Sequence, residues 1–166
     1  VCRAPDTGWT NLGTYRMQLQ AKNTGTVMIA RGKDAEIIYR KHTARHERMP
    51  VAVVIGSDPL HFLVSSTHVG VGVSEYDVIG ALRQRPVEVF ESDLTKLQLP
   101  AKAEIILEGD LDLDDRRPEG PLGEFTGYYS SAKDISGAGM APTVKVQRVM
   151  HRTRPIFWAS TIGKPV

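Results

Sequence analysis

The run Val51-Ala52-Val53-Val54-Ile55 is followed directly by Gly56-Ser57-Asp58-Pro59. Consecutive apolar residues that are mostly β-branched are typical of a strand buried on both faces. Asp58 before Pro59 is a good helix entry, because an acidic N-cap accepts backbone N–H groups and proline fits the first helical position. The stretch therefore predicts a buried strand that leads into a short helix over 60–64.

Strand-like runs dominate the chain on both sides of this stretch. They are short, apolar or alternating, and each lies beside turn residues. The predicted strands cover 14–20, 26–29, 51–55, 86–90, 104–107, 143–150 and 156–162. Seven such runs in 166 residues favour a closed or half-closed barrel over an open sheet.

Helices are predicted to be few and short. One covers 34–47, a second covers 60–64, and a third begins at Ser74-Glu75 and ends before Pro86. The stretch 110–127 is rich in Asp, Arg, Gly and Pro and is predicted to be a functional loop, and 130–141 is predicted to be a flexible excursion. The fold class is therefore mainly β (α+β), with one domain over 1–166.

The composition excludes several classes of protein. A formal net charge of +2, with basic residues dispersed among acidic ones, does not indicate a nucleic-acid-binding surface. The longest apolar run is far too short to span a bilayer. A single cysteine, Cys2, cannot form an internal disulfide, so a cytoplasmic protein is expected. Both ends of the chain read as if cut from a longer protein.

The segment Arg117-Pro118-Glu119-Gly120-Pro121-Leu122-Gly123-Glu124 is the most informative for chemistry. Its prolines and glycines impose an irregular backbone, and its two glutamates lie five residues apart. Paired carboxylates near an arginine suit proton transfer, because one can stay ionised while the other has its pKa raised in a drier place. A solvated acidic turn is the alternative, and composition alone favours that alternative.

The segment Asn11-Leu12-Gly13-Thr14-Tyr15-Arg16-Met17-Gln18 offers an arginine on a predicted strand. Gly13 permits a close approach of the backbone. Arg16 could pair with a carboxylate substrate or with Glu119. The alternative, an exposed arginine on an edge strand, is favoured when the segment is considered alone.

Taken together, four motifs in order resemble the UbiD family of reversible, non-oxidative decarboxylases. They are Asn-x-Gly-x-Tyr-Arg-x-Gln from Asn11, Gly-x-Asp-Pro from Gly56, Ser-Glu-Tyr from Ser74, and Arg-Pro-Glu-Gly-Pro-x-Gly-Glu-Phe-x-Gly-Tyr from Arg117. The resemblance covers residues 6–165, which is nearly the whole chain. Any one motif is weak, but all four with compatible spacing make a specific signal.

The resemblance implies an enzyme that uses prenylated FMN to decarboxylate aromatic or α,β-unsaturated acids. It implies a proton-transfer network of Arg16, Glu119 and Glu124. Arg16 would orient the substrate carboxylate and hold Glu119, and Glu124 would be the acid that supplies a proton after carbon dioxide leaves. The cofactor would perform the difficult chemistry while the protein supplies position and electrostatics.

The resemblance also implies a divalent metal, usually manganese, at the flavin phosphate, with a potassium ion nearby. The family's metal ligands are Asn, His and Glu, and these positions match Asn11, Asp34 and Glu75. The histidine is thus replaced by Asp34, which leaves three alternatives: an Asp-liganded metal, a weakened site, or a slip in the alignment. An Asp-liganded metal is our hypothesis. Lys33, beside Asp34, is expected to bind the cofactor and to offset part of the negative charge there, and Ser65 and Ser66 match positions near the cofactor phosphate and potassium.

The resemblance finally implies a split β-barrel of the flavin-reductase type, belonging to a longer enzyme. Further domains would close over the flavin and form a homodimer or larger assembly, so this chain alone is expected to be inactive or nearly so. Two alternatives stay open. The chain could be a non-catalytic domain that binds flavin or a partner protein, or a small subunit completed in trans.

Overall fold

The computed structural model describes residues 1–124, 127–130 and 139–160. In these residues the chain forms mainly β structure with a few short helices, as predicted. The strands are Cys2–Arg3 (β1), Thr10–Asn11 (β2), Met17–Ala21 (β3), Thr24–Val27 (β4), Met49–Ile55 (β5), Val89–Glu91 (β6), Gln98–Pro100 (β7), Ile105–Pro118 (β8), Leu122–Gly123 (β9), Tyr129–Ser130 (β10) and Met140–His151 (β11). The helices are Asp34–Ala44 (α1), Pro59–Ser65 (α2) and Glu75–Arg83 (α3). None of the helices in the described ranges is long and apolar enough to cross a membrane.

Most strands join one antiparallel sheet of seven, in the order β2-β1-β5-β8-β11-β4-β3. The two edge strands, β2 and β3, are joined by residues 12–16 alone. Six residue steps span at most about 22 Å, whereas the edges of a flat sheet of seven strands would lie roughly 29 Å apart. The sheet must therefore curl, and residues 12–16, called the seam segment below, cross the gap between its edges.

The strand count predicted a closed or half-closed barrel, and the curled sheet keeps two unpaired edges in the described residues. The pairings in the described residues do not close it into a barrel, because β2 and β3 are both edge strands. The finer assignment, a split barrel of the flavin-reductase type, stays a prediction from the resemblance.

Strand β5 is covered on both faces, as its continuous apolar sequence predicted. Val51 packs in the larger core cluster with Ile38 of α1, Met49, Leu111 and others. The adjacent Ala52 points to the other face and packs in a second cluster with residues of the segment 97–106. Because alternate residues of a strand face opposite sides, both faces of the sheet centre are dry.

Helix entries agree with the sequence, whereas the ends of several elements do not. Asp58 and Ser74 cap α2 and α3 through their side-chain oxygens, as expected. Helix α1 ends at Ala44, three residues short of the prediction, because Arg45 and His46 close it with hydrogen bonds to carbonyls of the last turn. The predicted strand over 156–162 is absent in 156–160, and the other two residues lie outside the described ranges.

The predicted loop over 110–127 is wrong for its first half. Strand β8 continues to Pro118, and it is paired with β11 as far as Met140 opposite Pro118. A long partner strand supplies the ladder hydrogen bonds, so tertiary pairing overrides a composition that favours loops. Most of the predicted excursion over 130–141 lies outside the described residues.

Candidate active site

Arg16 lies at the end of the seam segment and holds two glutamates. Its Nε and Nη2 donate to the two oxygens of Glu119 at 2.8 and 2.6 Å, which is a bidentate pair. Its Nη1 donates to Oε1 of Glu124 at 2.6 Å. The structure thus brings together the three residues that the sequence selected as a proton-transfer network.

The backbone around Glu119 explains how residues about a hundred positions apart meet. Strand β3, directly after Arg16, presents Gln18 and Gln20 to the end of β8. The amide of Gly120 donates to Oε1 of Gln18 at 2.8 Å, and Nε2 of Gln20 donates to the carbonyl of Pro118 at 3.1 Å. These two bonds flank Glu119 and hold its backbone against β3.

The two glutamates differ in their environment. The side chain of Glu119 is fully buried, and that of Glu124 is 30% exposed. The bidentate pair gives each oxygen of Glu119 one charged donor in a dry place. Glu124 stands at the solvent side of the same guanidinium.

Ser130 is a fourth member of this network that the sequence did not reveal. The short hairpin of β9 and β10 pairs Ser130 with Leu122 and so places it beside Glu124. Its hydroxyl donates to Oε1 of Glu124 at 2.5 Å and accepts from Nη1 of Arg16 at 2.9 Å. The Ser130 hydrogen bond lowers the pKa of Glu124, burial opposes this, and Arg16 lowers the pKa further.

Replacing Ser130 with alanine should raise the pKa of Glu124. A hydrogen bond donated to a carboxylate favours its charged form, so losing the bond favours the protonated form. Carbon-13 NMR titration of the glutamate carboxyls measures this, with Ser130→Thr expected to restore the low pKa. Glu108 is the internal control, because its lowered pKa depends, against its burial, on Ser92, Thr95 and Arg148. An unchanged pKa of Glu124 in Ser130→Ala would contradict the conclusion that the Ser130 hydrogen bond lowers it.

A second cluster of polar groups is centred on Glu75, the first residue of α3, which is 2% exposed. Its Oε1 accepts from Nδ2 of Asn11 at 3.0 Å, and its Oε2 accepts from the backbone amide of Leu12 at 2.7 Å. Burial raises the pKa of Glu75, the Leu12 amide lowers it, and the nearby charge of Asp34 raises it. The carboxylate is thus buried against neutral donors and lacks a compensating cation in these contacts.

Asp34 begins α1 and is half-buried, close enough to Glu75 to act on its charge. Asn11, Asp34 and Glu75 together offer one amide oxygen and two carboxylates, which is a donor set that suits a hard divalent cation. In the described ranges no three His, Cys, Asp or Glu side chains gather as a metal site. Lys33, just before α1, is exposed.

A group of hydroxyls joins the seam segment to the end of α2. The hydroxyl of Thr14 lies 3.1 Å from that of Ser65 and 2.9 Å from that of Ser66. The amide of Thr14 also donates to the carbonyl of Ser65 at 3.1 Å. Thr14 was missed in the sequence, although it lies between two residues of the first motif. A largely apolar cavity of about 280 Å³ has Thr14, Ser65, Gly13 and Ala35 among its lining residues.

Known proteins resemble this chain in sequence and in fold. The sequence profile of the UbiD 3-octaprenyl-4-hydroxybenzoate carboxy-lyase Rift-related domain matches residues 1–165. The chain belongs to the UbiD family. A phenolic acid decarboxylase from Bacillus subtilis (strain 168) is 35% identical over 158 residues, which are 95% of this chain and 32% of that protein.

Solved structures of UbiD enzymes contain the same fold. The closed form of vanillic acid decarboxylase from Sedimentibacter hydroxybenzoicus gives a TM-score of 0.87 at 35% identity, over 99% of this chain and 34% of that one. An evolved dimeric form of the UbiD-class enzyme HmfF from Pelotomaculum thermopropionicum, in complex with prFMN, gives 0.84 at 28% identity, over 94% and 35%. The chain therefore spans about a third of the length of the UbiD proteins that it matches.

Proposed function

We propose that this UbiD domain is the cofactor-binding catalytic core of a prenylated-FMN-dependent decarboxylase of aromatic or α,β-unsaturated acids. One observation carries the proposal: Arg16 is held by buried Glu119 and shared with Glu124 at the gap between the sheet edges. A domain that only bound flavin or a partner would not need a guanidinium divided between two carboxylates. Prenylated FMN, when bound, would supply the electron-accepting chemistry that releases carbon dioxide.

One edge of the Arg16 guanidinium is held by Glu119, and the other could exchange one carboxylate for another. Its Nε and Nη2 are occupied by Glu119, whereas Nη1 is shared between Glu124 and Ser130. A substrate carboxylate would therefore approach Nη1 and replace Glu124 there. Glu119 keeps the guanidinium fixed and oriented during this exchange.

The same exchange would convert Glu124 into an acid. Its pKa is lowered by Ser130 and by Arg16, with burial acting in the opposite direction. When the substrate takes Nη1, Glu124 loses the Arg16 contribution, and exclusion of water by the substrate strengthens the effect of burial. Both changes raise the pKa of Glu124, so that it can hold a proton and deliver it to the product carbon.

We propose that Asn11, Asp34 and Glu75 hold a manganese ion at the cofactor phosphate. Support comes from the chemistry of the donor set and from buried Glu75, whose hydrogen-bond donors are both neutral. A divalent cation would compensate two carboxylates that otherwise repel each other. Lys33 would offset part of the negative charge at the cofactor phosphate. Ser65 and Ser66 would contact the phosphate and a potassium ion, and the hydroxyl of Thr14 joins the two serines.

The cofactor assignment is tested by producing the protein together with a flavin prenyltransferase. Visible absorbance and native mass spectrometry then report bound prenylated FMN, and metal analysis reports manganese. We expect both in the complete enzyme that contains this domain. If this chain alone stays colourless, supplying the remaining domains should restore the flavin, and a complete enzyme without flavin would contradict the proposal.

The Asp34 assignment is tested by manganese titration of the wild type and of Asp34→His. A carboxylate is a harder ligand than imidazole, so the two ligands should differ in manganese affinity. We expect a measurable change, and Asp77→His is the matched control because Asp77 lies in the same first turn of α3 as Glu75 but is exposed. Identical affinities in wild type and Asp34→His would count against Asp34 as a ligand.

Other domains of the same enzyme are the proposed partners of this chain. The residues Ile156, Phe157 and Trp158 follow β11 and are 70%, 64% and 92% exposed. Three consecutive exposed apolar side chains are uncommon on a free surface and indicate a contact surface. We propose that the remaining domains cover them, and that the full enzyme is a cytoplasmic homodimer or larger assembly acting on a small carboxylic acid.

A further inference from the structure

Tyr15 makes three contacts within the seam segment and helix α1. Its ring lies against the backbone of Gly13, where a Cβ would come within 2.3 to 2.4 Å of ring atoms. Its hydroxyl donates to Oδ1 of Asn11 at 3.2 Å and accepts from the backbone amide of Ala35 at 3.2 Å. One phenol oxygen therefore joins the start of the seam segment to the start of α1.

The contact with Ala35 replaces the hydrogen bond that an N-cap side chain would normally make at the start of α1. In the described part of the chain, the N-cap residue Lys33 makes no side-chain capping hydrogen bond. The first amides of a helix need an acceptor, and an N-cap side chain normally supplies one to the second or third helical residue. Ala35 is the second residue of α1, so the hydroxyl of Tyr15 supplies the missing acceptor from another part of the chain.

The contact with Asn11 fixes how its amide is turned. The Oδ1 atom accepts from Tyr15 and from Sγ of Cys2 at 3.7 Å, and the Nδ2 atom donates to Glu75. A rotation of the amide by half a turn would place its donor against the Tyr15 hydroxyl and its oxygen against the Glu75 carboxylate. Tyr15 and Glu75 together therefore select one orientation of Asn11.

We propose that Tyr15 is a positioning residue that sets the place of Asn11 relative to Asp34 and so preorganises the metal ligands. This inference rests on the proposed metal site and deepens it. Asp34 and Ala35 are consecutive, so the hydroxyl that holds the Ala35 amide also holds the backbone of Asp34. The role also explains the spacing Asn-x-Gly-x-Tyr, because only glycine at position 13 lets the Tyr15 ring fold back to Asn11.

The test is manganese titration of the metal-free protein by calorimetry, in wild type and in Tyr15→Phe. Loss of a residue that orients metal ligands typically costs 10- to 100-fold in affinity, and we expect at least about a tenfold loss here. The Ala35 amide should also exchange faster with solvent in the metal-free variant. Tyr39→Phe is the matched control, because Tyr39 also lies on α1 and its hydroxyl accepts from Nη1 of Arg116 at 3.4 Å.

A second pair of variants separates positioning of the ligands from simple capping of α1. Lys33→Ser gives α1 an N-cap of its own, so Ala35 protection should recover when it is added to Tyr15→Phe. Manganese affinity should stay about tenfold below that of Lys33→Ser alone, because Asn11 is still unanchored. Full recovery of affinity would overturn the proposal.

The remaining outcomes distinguish this inference from the proposed function. Equal manganese affinity in wild type and Tyr15→Phe would overturn the role of Tyr15 and leave the metal site standing. A wild-type protein that binds no manganese would overturn both the metal site and the role of Tyr15. In neither case is the proton-transfer network affected.

Discussion

Replacing Glu124 with glutamine should lower turnover of the complete enzyme by about 10²- to 10⁴-fold, the usual contribution of a positioned general acid. Glutamine keeps an oxygen that can accept from Arg16 and Ser130, so the network should keep its shape. It cannot carry the proton that the product carbon requires. Turnover is measured by carbon dioxide release or product formation, and bound flavin by its visible absorbance.

The control for this variant is Glu88→Gln, which removes a carboxylate whose partner is the exposed Lys102. It should leave turnover unchanged. Loss of flavin from Glu124→Gln would instead assign Glu124 a structural role. Undiminished turnover with flavin bound would sink the assignment of Glu124 as the acid.

Replacing Arg16 with methionine should destabilise this chain by about 3–5 kcal/mol, the usual cost of breaking a buried ion pair from one side. The side chain of Glu119 is fully buried and has both oxygens paired to Arg16. Methionine fills similar volume but leaves a carboxylate in a dry place without its counter-charge. Urea unfolding followed by circular dichroism at pH 7 measures the loss in the free energy of unfolding.

Two further variants make this measurement specific. Arg117→Met removes the partner of Asp115, in a pair whose side chains are 42% and 39% exposed, and should leave the free energy of unfolding almost unchanged. Adding Glu119→Gln to Arg16→Met removes the stranded charge and should recover much of the loss. A double variant as unstable as Arg16→Met alone would show that packing, not the buried charge, determines the effect.

Local signals in the sequence predicted the helices and the buried strand well. Asp58-Pro59 and Ser74-Glu75 start helices because capping depends on neighbouring residues, which a single sequence displays. The length of β8 could not be predicted, since its second half owes its structure to β11, which lies more than twenty residues away along the chain. Non-local pairing is the information that composition lacks.

The residues of the candidate site could likewise be predicted only in part from the sequence. Arg16, Glu119 and Glu124 could be selected because four motifs in order make a specific resemblance, and the structure places them within hydrogen-bonding distance. Ser130 and Tyr15 could not, because a serine in a polar stretch and a tyrosine beside a strand have many ordinary roles. Only the hairpin of β9 and β10, and the folding of the Tyr15 ring over Gly13, reveal what their hydroxyls contact.

The short seam segment has a consequence for how this domain would respond to ligands. It joins the two edge strands of one sheet, and it contains Thr14, Tyr15 and Arg16. A molecule bound to these residues would stabilise only those conformations in which the two sheet edges lie close together. Ligand binding and the curvature of the sheet would then be coupled, so that a change in one would change the other. Lengthening the seam segment would weaken this coupling without changing any residue that contacts the ligand.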